Sequence, residues 1–195
     1  MTENKTIGLV FIEGYADWEF GFLSGSAVEI FAARIIALSP EAMPVTSIGG
    51  LKLTTERGVS AEENTDLDAV AIIGSEGWFG DTPPDIARLL LSVRARGGVI
   101  GGICAGTLPL AHADLFSATP HASNGTGWIE GKIGAYKGAE HYHDVPHAVS
   151  HGRVVTAPGT APGTFASAFL EALYPDETAK TEDLTGMLSR EYGRV

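Results

Sequence analysis

The only cysteine of the chain is Cys104, which lies where an apolar, strand-like run becomes a helix-like one. The surrounding Gly-Ile-Cys-Ala-Gly over 102–106 has small residues that permit a sharp backbone turn. This pattern is typical of a nucleophile elbow with cysteine in place of serine. Such a turn presents the sulfur to the free N–H groups of the next helix, whose dipole favours a thiolate. We predict a reactive Cys104; the alternative is a small buried hydrophobic residue.

Two other side chains could assist that sulfur. Glu19, near the start of a predicted helix, could stay protonated and donate to sulfur or shuttle a proton, although a solvated glutamate also suits this position. His121, in the loop 119–125, could act as a general base, orient a substrate or be an ordinary hydrogen-bonded loop histidine. Trp78 is expected to form a pocket wall or part of the core.

Residues 141–151 contain four of the six histidines. In an extended chain His141 and His143 share a face, and Asp144 or His147 could complete a zinc or nickel site. Histidine-rich turns are usually solvated, however, so we predict no metal. The glycines after the first strand lack the spacing of a dinucleotide-binding loop, so we predict no cofactor either.

The composition limits the class of protein. With 195 residues, 44% of them hydrophobic, the chain predicts one domain over 1–195. A net charge of −11 without a Lys/Arg cluster argues against nucleic acid or membrane partners and favours a small-molecule substrate. A lone cysteine cannot form an internal disulfide, and no secretory signal or bilayer-length apolar run is present. We therefore expect a cytoplasmic protein.

Strand-like and helix-like segments alternate along the chain. Strands are predicted at 7–12, 44–48, 68–73, 99–103 and 154–157, and a small hairpin at 51–60. Helices are predicted at 18–38, 83–96, 104–113 and 161–173, with a docked helical extension at 175–195. This alternation indicates an α/β fold, with a mostly parallel sheet covered by helices on both faces. Ligands of such folds bind at the carboxyl ends of the strands, which gathers the candidate residues at one rim.

Five segments occur in the order typical of one known family. They are Val-Phe-Ile-Glu-Gly-Tyr-Ala-Asp-Trp-Glu (10–19), Ile-Ile-Gly-Ser (72–75), Gly-Ile-Cys-Ala-Gly-Thr (102–107), Thr-Pro-His-Ala-Ser-Asn-Gly (119–125) and Val-Thr-Ala-Pro-Gly-Thr-Ala (155–161). The chain thus resembles the ThiJ/PfpI family, or DJ-one superfamily, of the class I glutamine amidotransferase-like fold. It is most similar to the amidotransferase-like bacterial branch. The resemblance implies a flavodoxin-like three-layer sandwich and a homodimer.

The resemblance also implies roles for individual residues. Cys104 corresponds to the family's reactive cysteine, Glu19 to the acid that hydrogen-bonds it and His121 to the neighbouring histidine. The backbone N–H groups of Ser75 and Ala105 correspond to the donors that stabilise an oxyanion, and Gly74 and Trp78 are expected to contribute to the same oxyanion and substrate-binding site. Two positions depart from the family pattern. The histidine that follows the cysteine in peptidase-like members is Ala105 here, and the family's Gly-Gly is Gly74-Ser75.

These features support three hypotheses from different classes. The first is a cysteine hydrolase or lyase acting on a reactive aldehyde or amide, of the glyoxalase, deglycase or amidase type. The second is a redox-sensing or chaperone-like stress protein in which Cys104 is oxidised. The third is an inactive scaffold with an ordinary thiol. An intracellular peptidase, or an amidotransferase-like protein without ammonia transfer, is a further alternative that Ala105 weakens.

Overall fold

The computed structural model describes residues 4–192. The strands within them are Thr6–Val10 (β1), Arg34–Leu38 (β2), Val45–Thr46 (β3), Lys52–Leu53 (β4), Ala69–Ile72 (β5), Val99–Ile103 (β6), Val149–His151 (β7) and Val154–Ala157 (β8). The α-helices are Gly21–Phe31 (α1), Ala87–Ala95 (α2), Leu108–His112 (α3), Pro162–Leu173 (α4) and Thr178–Tyr192 (α5). Short 3-10 turns occupy Glu76–Phe79, Cys104–Thr107 and Ala139–His141.

Six strands form one sheet in the order β2-β1-β5-β6-β8-β7. All neighbours pair in parallel except β7, which runs antiparallel to β8 at the edge. The predicted mostly parallel sheet is therefore confirmed. Because parallel strands end at the same edge, the loops after β1, β5, β6 and β8 meet at one rim.

Helices cover both faces of the sheet. Successive side chains of a strand point to opposite faces, so Leu9 of β1 lies in one apolar cluster and Val10 in the other. The first cluster includes Phe165 and Phe169 of α4 and residues of α1 and α5. The second includes Leu90 of α2 and residues of α3. This arrangement confirms the predicted three-layer α/β sandwich.

The predicted helix over 18–38 is wrong in its second half. Helix α1 ends at Phe31, and Ala32 follows in the left-handed conformation with φ 53°. The N–H of Ala32 bonds Val28 O, and the chain then enters β2, which pairs with β1. Ile35 and Leu38 happen to fit the helical spacing of α1. The segment that contains them, Arg-Ile-Ile-Ala-Leu, is rich in β-branched and apolar residues, which also suit a strand.

The region 44–60 also differs from expectation. We expected a sheet strand at 44–48 and a hairpin at 51–60, but β3 and β4 pair only with each other in a separate antiparallel hairpin. Its turn contains Gly50, whose φ of 86° suits glycine. Residues 45–46 therefore belong to this short hairpin and not to the main sheet, where the apolar pattern had placed them.

The remaining predicted elements are present with shifted ends. Pro83 and Pro84 precede α2, whose first residue is Ala87, rather than opening it, while Gly97 closes it with φ 76°. In the C-terminal extension, Leu184 and Leu188 of α5 are buried. No helix among residues 4–192 is long and apolar enough to cross a membrane.

Candidate functional site

Cys104 occupies a strained backbone conformation at the end of β6. Its φ of 56° is left-handed, a region that costs an L-residue about 1–2 kcal/mol. The 3-10 turn starts at Cys104 and is followed by α3, with Pro109 in the first turn of that helix, where the missing N–H has no cost. The predicted nucleophile elbow is therefore confirmed. The side chain is half-buried.

Gly106 allows the elbow to pack directly on β5. A Cβ at this position would lie 2.2 Å from the carbonyl oxygen of Ile72 and 2.7 Å from its carbon. Both atoms belong to backbone that is locked in the sheet, so neither can move aside. Gly106, two residues after the cysteine, is thus required by backbone packing at the elbow.

We expect Gly106→Ala to lower the free energy of unfolding by about 2–4 kcal/mol, because the added methyl group collides with main chain. Gly25→Ala is the matched control: Gly25 lies inside α1, and a Cβ there would meet nothing within 4 Å. This control should raise stability by about 0.5–1 kcal/mol. Urea denaturation of both variants tests the prediction, and equal effects would show that the elbow accommodates a side chain.

Glu19 lies beneath the elbow, in the loop between β1 and α1. Its side chain is 0% exposed, and its Oε2 accepts a hydrogen bond of 2.6 Å from the Gly74 N–H. Its Oε1 is buried without a hydrogen-bond partner among the described residues. The structure thus brings Glu19 to Cys104, as predicted, with one carboxyl oxygen available to the thiol.

Two glycine backbones close around this pair. A Cβ on Gly74 would lie 2.6 Å from Glu19 Oε2 and 2.9 Å from Cys104 Cβ. A Cβ on Gly159 would lie 2.9 Å from Cys104 Sγ and 3.2 Å from Glu19 Oε1. Side chains are therefore excluded from both positions, and the backbone itself shields the carboxyl group and one side of the sulfur from water.

Burial controls the protonation of the pair. It raises the pKa of Glu19 to about 7, against the opposing effects of the Gly74 N–H and the Cys104 thiol. Burial, followed by the charge of Glu19, raises the pKa of Cys104 to about 11. The shared proton therefore favours sulfur, and Glu19 is the group that titrates near neutrality. The thiolate expected from the helix dipole is not supported, because desolvation dominates.

Asn124 contacts the sulfur directly and was missed by the sequence analysis. Its Nδ2 donates to Cys104 Sγ at 3.2 Å, while its Oδ1 accepts from the Gly159 N–H at 3.0 Å. The hydroxyl of Tyr142 accepts hydrogen bonds from the N–H groups on both sides of Asn124, those of Ser123 and Gly125. The loop is thereby fixed with the amide facing the thiol.

We expect Asn124→Leu to raise the pKa of Cys104 further, because the amide donor favours the thiolate. The measurement is a pH titration of thiolate absorbance near 240 nm. Thr126→Val is the control: Thr126 lies in the same loop but donates to Asp144 rather than to sulfur. A lower thiol pKa in Asn124→Leu would contradict the assigned contact.

His121 is fully buried, and its ring nitrogens already have hydrogen-bond partners. Its Nδ1 bonds the carbonyl of Thr119 at 2.7 Å, so it carries the proton, and its Nε2 accepts from the Tyr136 hydroxyl. The ring stacks on Phe116 with 4.0 Å between centroids, and burial lowers the pKa of His121. Both nitrogens are occupied, which fits the ordinary loop histidine better than the general base.

The backbone N–H groups of Gly74, Ser75 and Ala105, at the expected substrate site, differ in what they already bind. The Gly74 N–H is used by Glu19. The Ser75 N–H has no hydrogen-bond partner among the described residues, whereas the Ala105 N–H hydrogen-bonds the Cys104 sulfur and thereby lowers the pKa of the thiol. The Ser75 side chain caps the following turn by accepting from the Gly77 N–H. Ser75 therefore keeps a free donor for a ligand oxygen, while the Ala105 N–H is occupied by the sulfur in the resting protein.

The two tryptophans near the site differ in position. Trp78 is 1% exposed and donates from its indole to the Ile73 carbonyl, so the structure places it in the core rather than on a pocket wall. Trp18, which sequence reasoning did not select, is half-exposed next to Glu19 and donates to the Gly159 carbonyl at 2.9 Å. It helps to hold Gly159 against the sulfur.

A cavity of about 640 Å³ opens beside the loop that contacts the sulfur. Asn124 lines it, together with Ser123, Asp144, Pro146 and Thr160. This volume lies within the range of small-molecule sites. No Lys or Arg is among its lining residues, so the cavity offers no counter-charge to an anionic substrate.

The histidine-rich segment forms no metal site in the residues that the structure describes. Across 4–192, no three or more His, Cys, Asp or Glu side chains converge as a metal would require. His141 lies 3.6 Å from Glu140 through its Nε2, while His147 bonds a backbone carbonyl through Nδ1.

Comparisons with known proteins identify the family. Residues 5–172 match the model of the DJ-1/PfpI family. A DJ-1 superfamily protein from Agrobacterium tumefaciens has 33% identity and a TM-score of 0.85, over 96% of this chain and 99% of that one. A thiJ/pfpI family protein from Bacillus anthracis has 23% identity and a TM-score of 0.72, over 88% and 84%.

More distant structures share the fold alone. Oxidised DJ-1 of Toxoplasma gondii has 18% identity and a TM-score of 0.73, over 94% of this chain and 97% of that one. The sequence has no significant match among curated proteins. The family match over most of the chain, with the similarity to the Agrobacterium protein, shows that this protein belongs to the DJ-1/PfpI family.

Proposed function

We propose that this protein is an enzyme that uses the Cys104 thiol to attack a small electrophile, a reactive aldehyde or an amide, in hydrolase or lyase chemistry. The pairing of Cys104 with a buried Glu19, whose pKa is about 7, carries the proposal. A general base works best when its pKa lies near the working pH. Glu19 therefore suits the removal of the thiol proton at the moment of attack.

The proposed sequence begins with the thiol as the resting form. The sulfur forms a bond to the carbonyl carbon, the thiol proton passes to Glu19, and the carbonyl electron pair moves to oxygen. The N–H group of Ser75 supports that oxygen, joined by that of Ala105 when it turns from the sulfur to the developing oxyanion. Protonated Glu19 then returns its proton to the oxygen of the adduct or to the nitrogen of an amide leaving group.

An amide substrate requires a second half-reaction. After the amine leaves, a thioester remains on Cys104, and ionised Glu19 removes a proton from the water that attacks it. The water oxygen bonds to the acyl carbon, the carbon–sulfur bond breaks, and sulfur recovers its proton. Ala105 follows the cysteine where peptidase-like relatives have histidine, which favours this small-molecule role over peptide hydrolysis.

A substrate panel tests the proposal. The protein is incubated with methylglyoxal, glyoxal, small amides and isonitriles, and their consumption is followed alongside intact mass. The expected result is consumption of at least one compound, with an adduct that peptide mapping places on Cys104. Consumption of none, together with selective addition of oxygen to Cys104 under peroxide, would favour the redox-sensing alternative.

We further propose a homodimer, as the family relationship implies, and a location in the cytoplasm, for which the lone cysteine of the chain is the support. Light scattering of the purified protein tests the dimer, and fractionation of the native host tests the compartment. A monomer at micromolar concentration would overturn the first expectation.

A further inference from the structure

Side chains from two other loops hold Gly159 in place. Its N–H donates to Asn124 Oδ1 at 3.0 Å, and its carbonyl accepts from the indole N–H of Trp18 at 2.9 Å. Gly159 belongs to the loop after β8 and to no helix or strand. Its position therefore depends on these two side chains and not on regular secondary structure.

The bond from Trp18 spans the edge of the sheet. Trp18 follows β1 and Gly159 follows β8, and in the sheet these two strands are separated by β5 and β6. Three strand spacings amount to about 14 Å. Cys104 lies at the end of β6, between the two strands. The loops that Trp18 and Gly159 occupy thus meet across the elbow.

Gly159 covers both members of the reactive pair. A Cβ on it would lie 2.9 Å from Cys104 Sγ and 3.2 Å from Glu19 Oε1, so its backbone is close to both groups. Glu19 Oε1 is buried and has no hydrogen-bond partner among the described residues. Such an oxygen would gain a hydrogen bond from any water that entered, so exclusion of water requires that the backbone be held in place.

We propose that Trp18 is a positioning residue, which holds Gly159 over Glu19 and Cys104 through its indole N–H and so keeps water from the pair. Trp18 is 53% exposed, so its conservation of position owes little to burial of the ring. The catalytic meaning of this inference rests on the proposed function. The contact itself can be tested without a substrate.

Hydrogen exchange measured by amide-resolved NMR tests the hold on Gly159. Trp18→Phe keeps an aromatic ring but removes the donor, and loss of one hydrogen bond should raise the exchange rate of the Gly159 amide about twofold to tenfold. Amides inside β8 should keep their rates. Trp128→Phe is the matched control, because Trp128 packs against Phe79 and should leave Gly159 unaffected. An unchanged Gly159 rate in Trp18→Phe would overturn the proposal.

The thiol reports whether water reaches the pair. Among the described residues, Glu19 and Cys104 are each the only titratable group that acts on the other, and burial is the largest cause of the raised pKa of both. Entry of water in Trp18→Phe should therefore lower the pKa of both groups toward their ordinary values. The rate of alkylation by iodoacetamide, followed against pH, measures the thiol pKa. At pH 8 that rate should be about threefold to tenfold higher than in the wild type and unchanged in Trp128→Phe.

A merely structural role for Trp18 predicts a different result. Trp18→Phe would then lower the free energy of unfolding but leave the thiol pKa as in the wild type, which would overturn the proposal. Turnover separates this inference from the proposed function. If the wild type converts a substrate, Trp18→Phe should convert it more slowly despite its more acidic thiol, because hydrated Glu19 is a weaker base. If the wild type converts none while exchange and thiol pKa change as expected, Trp18 keeps its positioning role and the proposed function fails.

Discussion

Replacing Cys104 with alanine is expected to reduce turnover of the best substrate in the panel by at least about a thousandfold, because the only nucleophilic sulfur is lost. Cys104→Ser should also be strongly impaired, since a buried hydroxyl is a far weaker nucleophile at neutral pH. The measurement is kcat/KM with the adduct followed by intact mass. Undiminished turnover in Cys104→Ala would show that another group performs the reaction.

A second substitution separates loss of chemistry from loss of folding. Cys104→Gly should be as inactive as Cys104→Ala, yet more stable by about 1 kcal/mol, because glycine adopts a φ of 56° without steric cost. An inactive variant that is better folded excludes unfolding as the cause. If alanine were the more stable of the two, the strain assigned to the elbow would be wrong.

Glu19→Gln is expected to lower kcat by about a hundredfold to ten-thousandfold, because the amide cannot accept the thiol proton. The same change should lower the pKa of Cys104, since it removes the charge that opposes the thiolate. A more acidic thiol with slower turnover distinguishes a general base from a preformed thiolate. Unchanged turnover with a lower thiol pKa would contradict the role of Glu19.

The pH dependence gives an independent measurement of the same group. The wild-type rate should rise through about pH 7 as Glu19 ionises, and this limb should vanish in Glu19→Gln. Stability should move in the opposite direction. The pKa of Glu19 is higher in the folded state, so its contribution is complete below pH 4.5 and is lost as pH rises through about 7.

That loss amounts to about 3 kcal/mol for the shift from 4.5 to about 7. Urea denaturation at pH 5 and pH 8 measures it. Glu19→Gln should remove this part of the pH dependence, and Glu171→Gln, at an exposed position of α4, serves as a control that should not. Equal pH slopes in all three proteins would show that Glu19 is not buried as described.

The sequence predicts the parts of the fold that local pattern determines. Continuous apolar runs locate β1, β5, β6 and β8, and the small residues around Cys104 locate the elbow. The switch from α1 to β2 was missed because Ile35 and Leu38 fit both periods. The left-handed conformation of Ala32, which ends the helix, is not encoded by a glycine or proline.

The sequence predicted the site residues that belong to family motifs, but it did not predict those whose position depends on tertiary contacts. Glu19 and Cys104 were found together, but the residue that touches sulfur is Asn124, which follows His121 by only three positions. Its placement depends on Tyr142, 17 residues away from Gly125 in sequence. The protonation state depends on burial, which no local pattern reveals.

The glycine backbones at residues 74 and 159 have a consequence for how this site can diversify. Because any side chain there would collide with Glu19 or Cys104, both positions are closed to evolutionary change while the pair is retained. New specificities are therefore expected to arise at residues that line the cavity beside Asn124, such as Asp144 and Thr160. If Glu19 and Cys104 stay fixed while the residues lining the neighbouring cavity vary, the same fold can accept different substrates.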